Sequence, residues 1–142
     1  MSHKHYAYAM LRIVTGLSML VHGSVRVCGS YGGFVQWIHG QFSRTFLPES
    51  LLTMVGYGIP LVEIVIGLSL IGGLLTFYGL ILSGLLMSVL VFGMCLLQNW
   101  STVADQMIYT FIFAALLFGL EYNHFSLDRF ILNSNPAHNG DG

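Results

Sequence analysis

The sequence predicts an all-α fold: an integral membrane four-helix up-down bundle with a short amphipathic interfacial helix in its first loop. Only 8% of the 142 residues are charged, whereas a soluble domain carries about 25%. The mean hydropathy is +0.75, and the chain contains four long apolar segments. Each approaches the ~20 residues that a helix needs to cross a bilayer. None alternates like a barrel strand, so helices are the expected spanning structure.

The four predicted spans cover residues 7–27, 51–75, 78–97 and 106–120. The first lacks a small-residue cleavage site, and we interpret it as a retained span rather than a signal peptide. The second and third spans are joined by a very short turn, and the third and fourth by a polar one. Short connections make successive helices antiparallel, which predicts an up-down bundle in a single domain over residues 1–142. The tail, residues 133–142, is expected to be mobile.

The first loop predicts a helix of its own. Residues 29–33 read Gly-Ser-Tyr-Gly-Gly and indicate a break in the chain. Over residues 34–46, apolar side chains recur at helical spacing opposite a polar face. This pattern favours an amphipathic helix that lies at the membrane interface. An irregular loop is the alternative.

Ionisable side chains inside the spans are the strongest indication of function. Arg12, His22 and Glu63 lie in otherwise apolar segments, where a charge costs a few kcal/mol unless it faces a bundle interior, a partner or water. At ~100° per residue, Arg12 and His22 share one face of the first helix with Thr15, Met19 and Arg26. We therefore expect all three ionisable side chains to point inward, with Arg12 or His22 bound to Glu63 directly or through a bridging water.

A polar mouth is predicted where the first loop meets the bundle. The candidate catalytic residues are His22 and Glu63, because histidine exchanges protons near neutral pH and a buried carboxylate can do the same. The candidate cofactor-binding residues are Arg12, His22, Glu63, Tyr109, Asp105 and Gln98. A quinone head group suits such a set, since it needs donors at its carbonyls and a proton route. Purely structural alternatives are an Arg12–Glu63 pair that fixes helix register, an interhelical hydrogen bond at His22 and a helix N-cap at Asp105.

Four short motifs, in this order and spacing, resemble the DoxX-like membrane proteins. They are Leu-Arg-Ile-Val-Thr-Gly-Leu-Ser-Met-Leu-Val-His-Gly at residues 11–23, Gly-Phe-Val-Gln-Trp-Ile at 33–38, Pro-Leu-Val-Glu at 60–63 and Phe-Ser-Leu-Asp at 125–128. The family often has lysine where this chain has Arg26, so the positive charge is kept at that position. The resemblance implies a four-helix protein of the bacterial plasma membrane. Some members are small subunits of thiosulfate:quinone oxidoreductase, and related eukaryotic folds act as cargo receptors or receptor-assembly chaperones.

Two functions follow from these observations. The first is a membrane subunit of an oxidoreductase that binds a quinone or similar lipid in the bundle core. The alternative is a non-catalytic accessory or assembly subunit that holds a larger partner. The sequence has no haem, flavin or metal signature, and its balance of five basic and six acidic residues does not suggest nucleic acid. The expected partners are the lipid bilayer and another membrane protein. The distribution of Lys and Arg favours cytoplasmic termini.

Overall fold

The computed structural model describes residues 2–134, and throughout that part of the chain the regular structure is helical. The elements are α1 (His3–Phe42), α2 (Glu49–Gly72), α3 (Thr76–Leu96), α4 (Trp100–Phe118), a 3-10 turn (Leu120–Tyr122) and α5 (Leu127–Asn133). Helices α1 to α4 are long and apolar enough to cross a membrane. The prediction of an all-helical protein is therefore confirmed for the described residues, as is the presence of four helices that are long and apolar enough to span a membrane. Of the predicted mobile tail, the part beyond Ser134 lies outside the described residues.

Helix α1 is broken once, at Ser30. This residue has extended dihedral angles, φ −160° and ψ 91°. Its Oγ accepts a hydrogen bond from the Gly33 backbone N–H at 3.1 Å, which is how an N-cap side chain starts a helix. The chain therefore begins a second helical segment at residue 31 and ends it at Phe42, where the sequence predicts a loop helix over residues 34–46. The predicted break within residues 29–33 is confirmed, and it is confined to Ser30 because the serine cap restarts the helix at once.

The ends of α2 and α4 differ from the predicted spans because of local capping. Gly73 adopts a left-handed conformation (φ 63°) and its N–H bonds to the Ser69 carbonyl, which ends α2 before residue 75. Helix α4 begins at Trp100 rather than residue 106, because the Asn99 side chain accepts from the Thr102 N–H at 3.3 Å. Asp105 therefore lies inside α4, and the N-cap interpretation of Asp105 is wrong.

Glycines allow α1 and α2 to pack backbone to backbone. A Cβ on Gly67 would lie 2.6 Å from the Leu20 amide nitrogen, and a Cβ on Gly23 would lie 2.5 Å from the Pro60 carbonyl oxygen. Later positions of α1 face earlier positions of α2, so the two helices run antiparallel. Helix α2 packs on α3, and α3 packs on α4. This close approach of small residues is the usual way in which helices associate inside membranes.

The C-terminal segment caps α3. Asp128 accepts hydrogen bonds from the backbone N–H groups of Leu75 at 2.6 Å and Thr76 at 2.9 Å. It also accepts one from the Thr76 hydroxyl at 3.0 Å. The first N–H groups of a helix have no partner within that helix, and a carboxylate there also favours the helix dipole. The start of α3 is thus stabilised by a residue about fifty positions later in the chain.

Candidate functional site

Glu63 forms an ion pair with Arg26. Glu63 is 3% exposed, and its Oε1 accepts a hydrogen bond from the Arg26 Nη1 group. The Arg26 side chain is 31% exposed and its guanidinium lies over the Phe34 ring, 4.7 Å from the ring centroid. Glycines on both sides of Glu63 hold α2 close to α1. The Glu63 carboxylate therefore lies beside the last turn of α1 before the break at Ser30. The buried charge is compensated, as expected of a carboxylate inside a span.

The predicted contact of Arg12 with Glu63 is wrong, whereas His22 lines the same cavity as Glu63. In the observed register Gly23 faces Pro60 and Ile64, so Glu63 is level with residue 23 of α1. Arg12 lies eleven residues earlier, or roughly 16 Å along the axis at ~1.5 Å per residue. An arginine side chain cannot reach that far. The prediction failed because it depends on the axial register of α1 against α2, and spacing along either helix alone does not give that register.

Arg12 instead anchors the C-terminal segment. It is 1% exposed, and its Nη2 donates to the Phe125 carbonyl oxygen at 2.5 Å. Its Nη1 packs against Gly73, where a Cβ would collide with it. The Asp128 carboxylate interacts electrostatically with Arg12. The residue is inward-facing as predicted, but its partners belong to the opposite end of the molecule from Glu63.

A polar cavity of about 470 Å³ lies beside the Arg26–Glu63 pair. Of the candidate residues, the structure brings His22, Glu63, Asp105 and Tyr109 together in its wall, and Arg12 and Gln98 are not among its lining residues. The complete lining is Met19, His22, Arg26, Glu63, Met87, Leu90, Thr102, Asp105, Gln106, Ile108 and Tyr109. The candidate set therefore omits three polar lining residues, Arg26, Thr102 and Gln106. The signal for Arg26 was present, since it shares the predicted face of the first helix with the candidates Arg12 and His22.

His22 has a defined hydrogen-bonding pattern on one side of its ring. Its Nδ1 lies 2.7 Å from the Ser18 carbonyl oxygen. A carbonyl only accepts, so Nδ1 carries the proton, and in the neutral ring Nε2 is a hydrogen-bond and proton acceptor. This bond lies within α1, so it is not the interhelical bond considered for His22. The interhelical link nearby joins the Ser18 and Tyr109 hydroxyl oxygens at 2.6 Å.

Two buried acceptor atoms belong to residues that line the polar cavity. Glu63 Oε2 and Gln106 Oε1 find no hydrogen-bond partner among residues 2–134. Buried polar atoms are nearly always hydrogen-bonded in folded proteins, so unpartnered ones beside a cavity call for a donor inside it. Together with Nε2 of a neutral His22, they make the cavity rich in acceptors. Such a site favours a molecule that carries hydroxyl or N–H groups.

Histidine, cysteine and carboxylate side chains outside the polar cavity are dispersed in the described residues. Over positions 2–134, no three His, Cys, Asp or Glu side chains gather in an arrangement that could hold a metal ion. Cys28 is exposed and Cys95 is half-buried, both as free thiols. The polar cavity is therefore the site that we consider for function.

Comparisons of the chain with protein-family models, with curated proteins and with solved structures find no match. The resemblance to DoxX-like proteins thus stays a prediction that depends on the four motifs. Three of those motifs contribute to the features described above. Residues 11–23 supply Arg12 and His22, residues 60–63 supply Glu63, and residues 125–128 supply Asp128.

Proposed function

We propose that this chain is a DoxX-like membrane protein that binds the head group of a quinone or quinol in the polar cavity, as a membrane subunit of an oxidoreductase. One observation carries the proposal. His22 lines the same cavity as Glu63 and Gln106, whose Oε2 and Oε1 atoms are buried acceptors without a partner among residues 2–134. At about 470 Å³ the cavity falls within the ~300–1,000 Å³ that is usual for small-molecule sites.

The cavity suits the reduced form of such a ligand. A quinol ring presents two hydroxyl donors, and the acceptors at His22 and Glu63 receive hydrogen bonds from them. Both groups can also take up the protons that quinol oxidation releases, so they would serve as the proton acceptors of the reaction. The two electrons pass to a redox partner protein. The hydrogen bond from Arg26 orients the Glu63 carboxyl group. Tyr109 lies near the edge of the His22 ring, with ring centroids 6.3 Å apart.

The arrangement in the membrane is part of the proposal. The short turns at Gly73–Leu75 and Leu97–Asn99 support an up-down order of the four spans. The segment from residue 31 to Phe42, which restarts at Ser30, would lie at the interface on the side of the polar cavity. The protein would occupy the bacterial plasma membrane with both termini in the cytoplasm.

A non-catalytic accessory role is the second candidate, and α4 favours it. Only 11% of the most apolar window of α4 is buried within the chain, against 28–39% for the other three spanning helices. Its outer face includes Phe111 and Phe118, which are 75% and 94% exposed. A partner helix would cover this face, although lipid satisfies it equally well. An assembly subunit needs no ligand, so binding measurements separate the two candidates.

The test is a titration of the full chain in lipid nanodiscs with an alkylated para-benzoquinol and with its oxidised form. We expect the quinol to bind more tightly than the quinone. His22→Phe should weaken quinol binding about tenfold, the value of one good hydrogen bond to a buried group. Ser88→Ala is the matched control, because the Ser88 hydroxyl bonds to its own helix at Gly84. Tighter binding of the quinone, or no effect of His22→Phe in a protein that melts normally, would contradict the proposal.

A further inference from the structure

A second cavity of about 580 Å³ lies next to the polar cavity and is mainly apolar. It is bounded by the 31–42 segment of α1, by the first half of α2, by the second half of α3 and by the start of α4. Its aromatic wall consists of Phe34, Trp37, Phe42 and Phe92. We call it the apolar cavity.

The two cavities are adjacent. Four residues line both of them, namely Arg26, Leu90, Thr102 and Gln106. Arg26 stands at the junction, with its guanidinium paired to Glu63 and lying over the Phe34 ring. A cavity rich in acceptors therefore borders a mainly apolar one. This division matches a molecule with a polar head and an extended apolar chain.

We propose that the apolar cavity holds the hydrocarbon chain of the same molecule whose head group occupies the polar cavity, so that the ligand is an amphiphile bound across the Arg26–Gln106 junction. This inference rests on the proposed function for the identity of the head. The acyl chain of a membrane lipid would fit the apolar cavity equally well, because it is as apolar as the chain of the proposed ligand. The attached chain has the advantage of being tethered to a head that is already bound, which raises its effective concentration at the apolar cavity.

Gly93 offers a way to block the chain without touching the head. It lines the apolar cavity and not the polar one. A Cβ at Gly93 would lie 3.2 Å from Cζ of Phe42, so a larger side chain there projects into the cavity. Gly84 is the matched control on the same helix. It lies nine residues earlier, about 2.5 turns and hence on the opposite face, and a Cβ there meets no atom of the described chain within 4 Å.

The experiment uses the full chain in lipid nanodiscs and two probes with the same ring, a methylated para-benzoquinol without a side chain and one with a ten-carbon alkyl chain. Comparing one probe between variants cancels its partition into the lipid. We expect Gly93→Leu to weaken binding of the alkylated probe about tenfold, as overpacking a filled cavity does, and to leave the chainless probe unchanged. Gly84→Leu should change neither. Leu51→Trp, which fills the apolar cavity from α2, should act like Gly93→Leu if the glycine variant is unstable.

Three results would overturn the inference. If Gly93→Leu and Leu51→Trp leave both probes unaffected, the chain lies elsewhere and a lipid chain fills the cavity. If they weaken both probes equally, the apolar cavity serves only to shape the head-group site. If neither probe binds the unmodified protein, the proposed head-group site itself is wrong. The first two results do not contradict the head-group site. Failure of this inference can therefore be distinguished from failure of the proposed function.

Discussion

At the scale of single residues, the Arg26–Glu63 pair is asymmetric. The Glu63 side chain is 4% exposed, whereas that of Arg26 is 31% exposed. An arginine left without its partner can turn toward water at the cavity mouth, but a glutamate left without its partner stays buried. The same pair supplies the cavity with an oriented carboxylate, so stability and the proposed function depend on one contact.

This asymmetry predicts a specific order of stabilities. Arg26→Met should lower the free energy of unfolding by about 3–5 kcal/mol, because it leaves a buried charge uncompensated. Glu63→Gln should cost less, and the double variant should recover much of the loss caused by Arg26→Met. Denaturant or thermal unfolding in detergent measures all three.

The control for that cycle is Arg12→Met combined with Glu63→Gln. The two side chains are far apart, so their effects should add within about 0.5 kcal/mol. Strong coupling between Arg12 and Glu63 would contradict the observed register. Additivity between Arg26 and Glu63 would contradict the ion pair.

At the scale of elements, the contact between α1 and α2 depends on where glycine stands. Gly67 touches the backbone of α1 at Leu20, whereas Gly58 on the same helix has open space at its Cβ position among the described residues. The same substitution should therefore have opposite effects at the two sites.

We expect Gly67→Ala to destabilise the protein by about 1–3 kcal/mol, because the added methyl group forces the helices apart. Gly58→Ala should stabilise it by up to about 1 kcal/mol, because alanine is the better helix former. Melting temperatures of the two variants in the same detergent provide the comparison. A destabilised Gly58→Ala protein beside an unaffected Gly67→Ala protein would show that α1 and α2 do not meet there.

The cap on α3 supports a second prediction at this scale. Asp128→Ala removes three hydrogen bonds at the start of α3 and should cost about 1–2 kcal/mol. Asp128→Asn keeps an acceptor but loses the charge, so it should cost less. Hydrogen exchange of the Leu75 and Thr76 amides reports the cap directly. Unchanged exchange in Asp128→Ala would contradict the capping role.

At the scale of the whole molecule, the two ends of the described chain meet. The His5 and His124 rings are 3.9 Å apart between centroids, Tyr6 packs against Phe125 at 5.3 Å, and Lys4 Nζ donates to the Tyr122 hydroxyl at 3.4 Å. Helix α1 thereby holds the segment that caps α3. This arrangement couples the N-terminal helix to the start of α3 through the C-terminal residues.

The contact between the two ends should depend on pH. Desolvation by the surroundings, the charge of Arg129 and the charge of His5 lower the pKa of His124 below its ordinary value of 6.5. Protonation of His124 therefore favours separation of the ends. The contact is fully formed above about pH 6.5 and weakens as the pH falls through the lowered pKa.

Spin labels at Ser2 and Ser134 should report a broader distance distribution at about pH 5 than at about pH 7, and His124→Gln should remove most of this change. An unchanged distribution in the unmodified protein would contradict the prediction.

The sequence by itself determined the helical membrane class, the four spans and the inward face of Arg12, Thr15 and Met19. The length of an apolar segment and the helical spacing of its residues are local properties, so they can be recognised in the sequence without knowledge of how the helices pack. The polar cavity was partly predictable for the same reason, because His22, Glu63, Asp105 and Tyr109 stand on polar faces near one end.

Only the tertiary structure decided which charges pair and which caps form. The partner of Glu63 depends on the axial register of α1 against α2, which the glycine contacts set. About four helical turns separate Arg12 from Arg26 on the same stripe. The Asp128 cap on α3 and the junction of the two cavities join segments that are distant in the chain. Spacing along one helix cannot give these relations, because they depend on how two helices slide past each other.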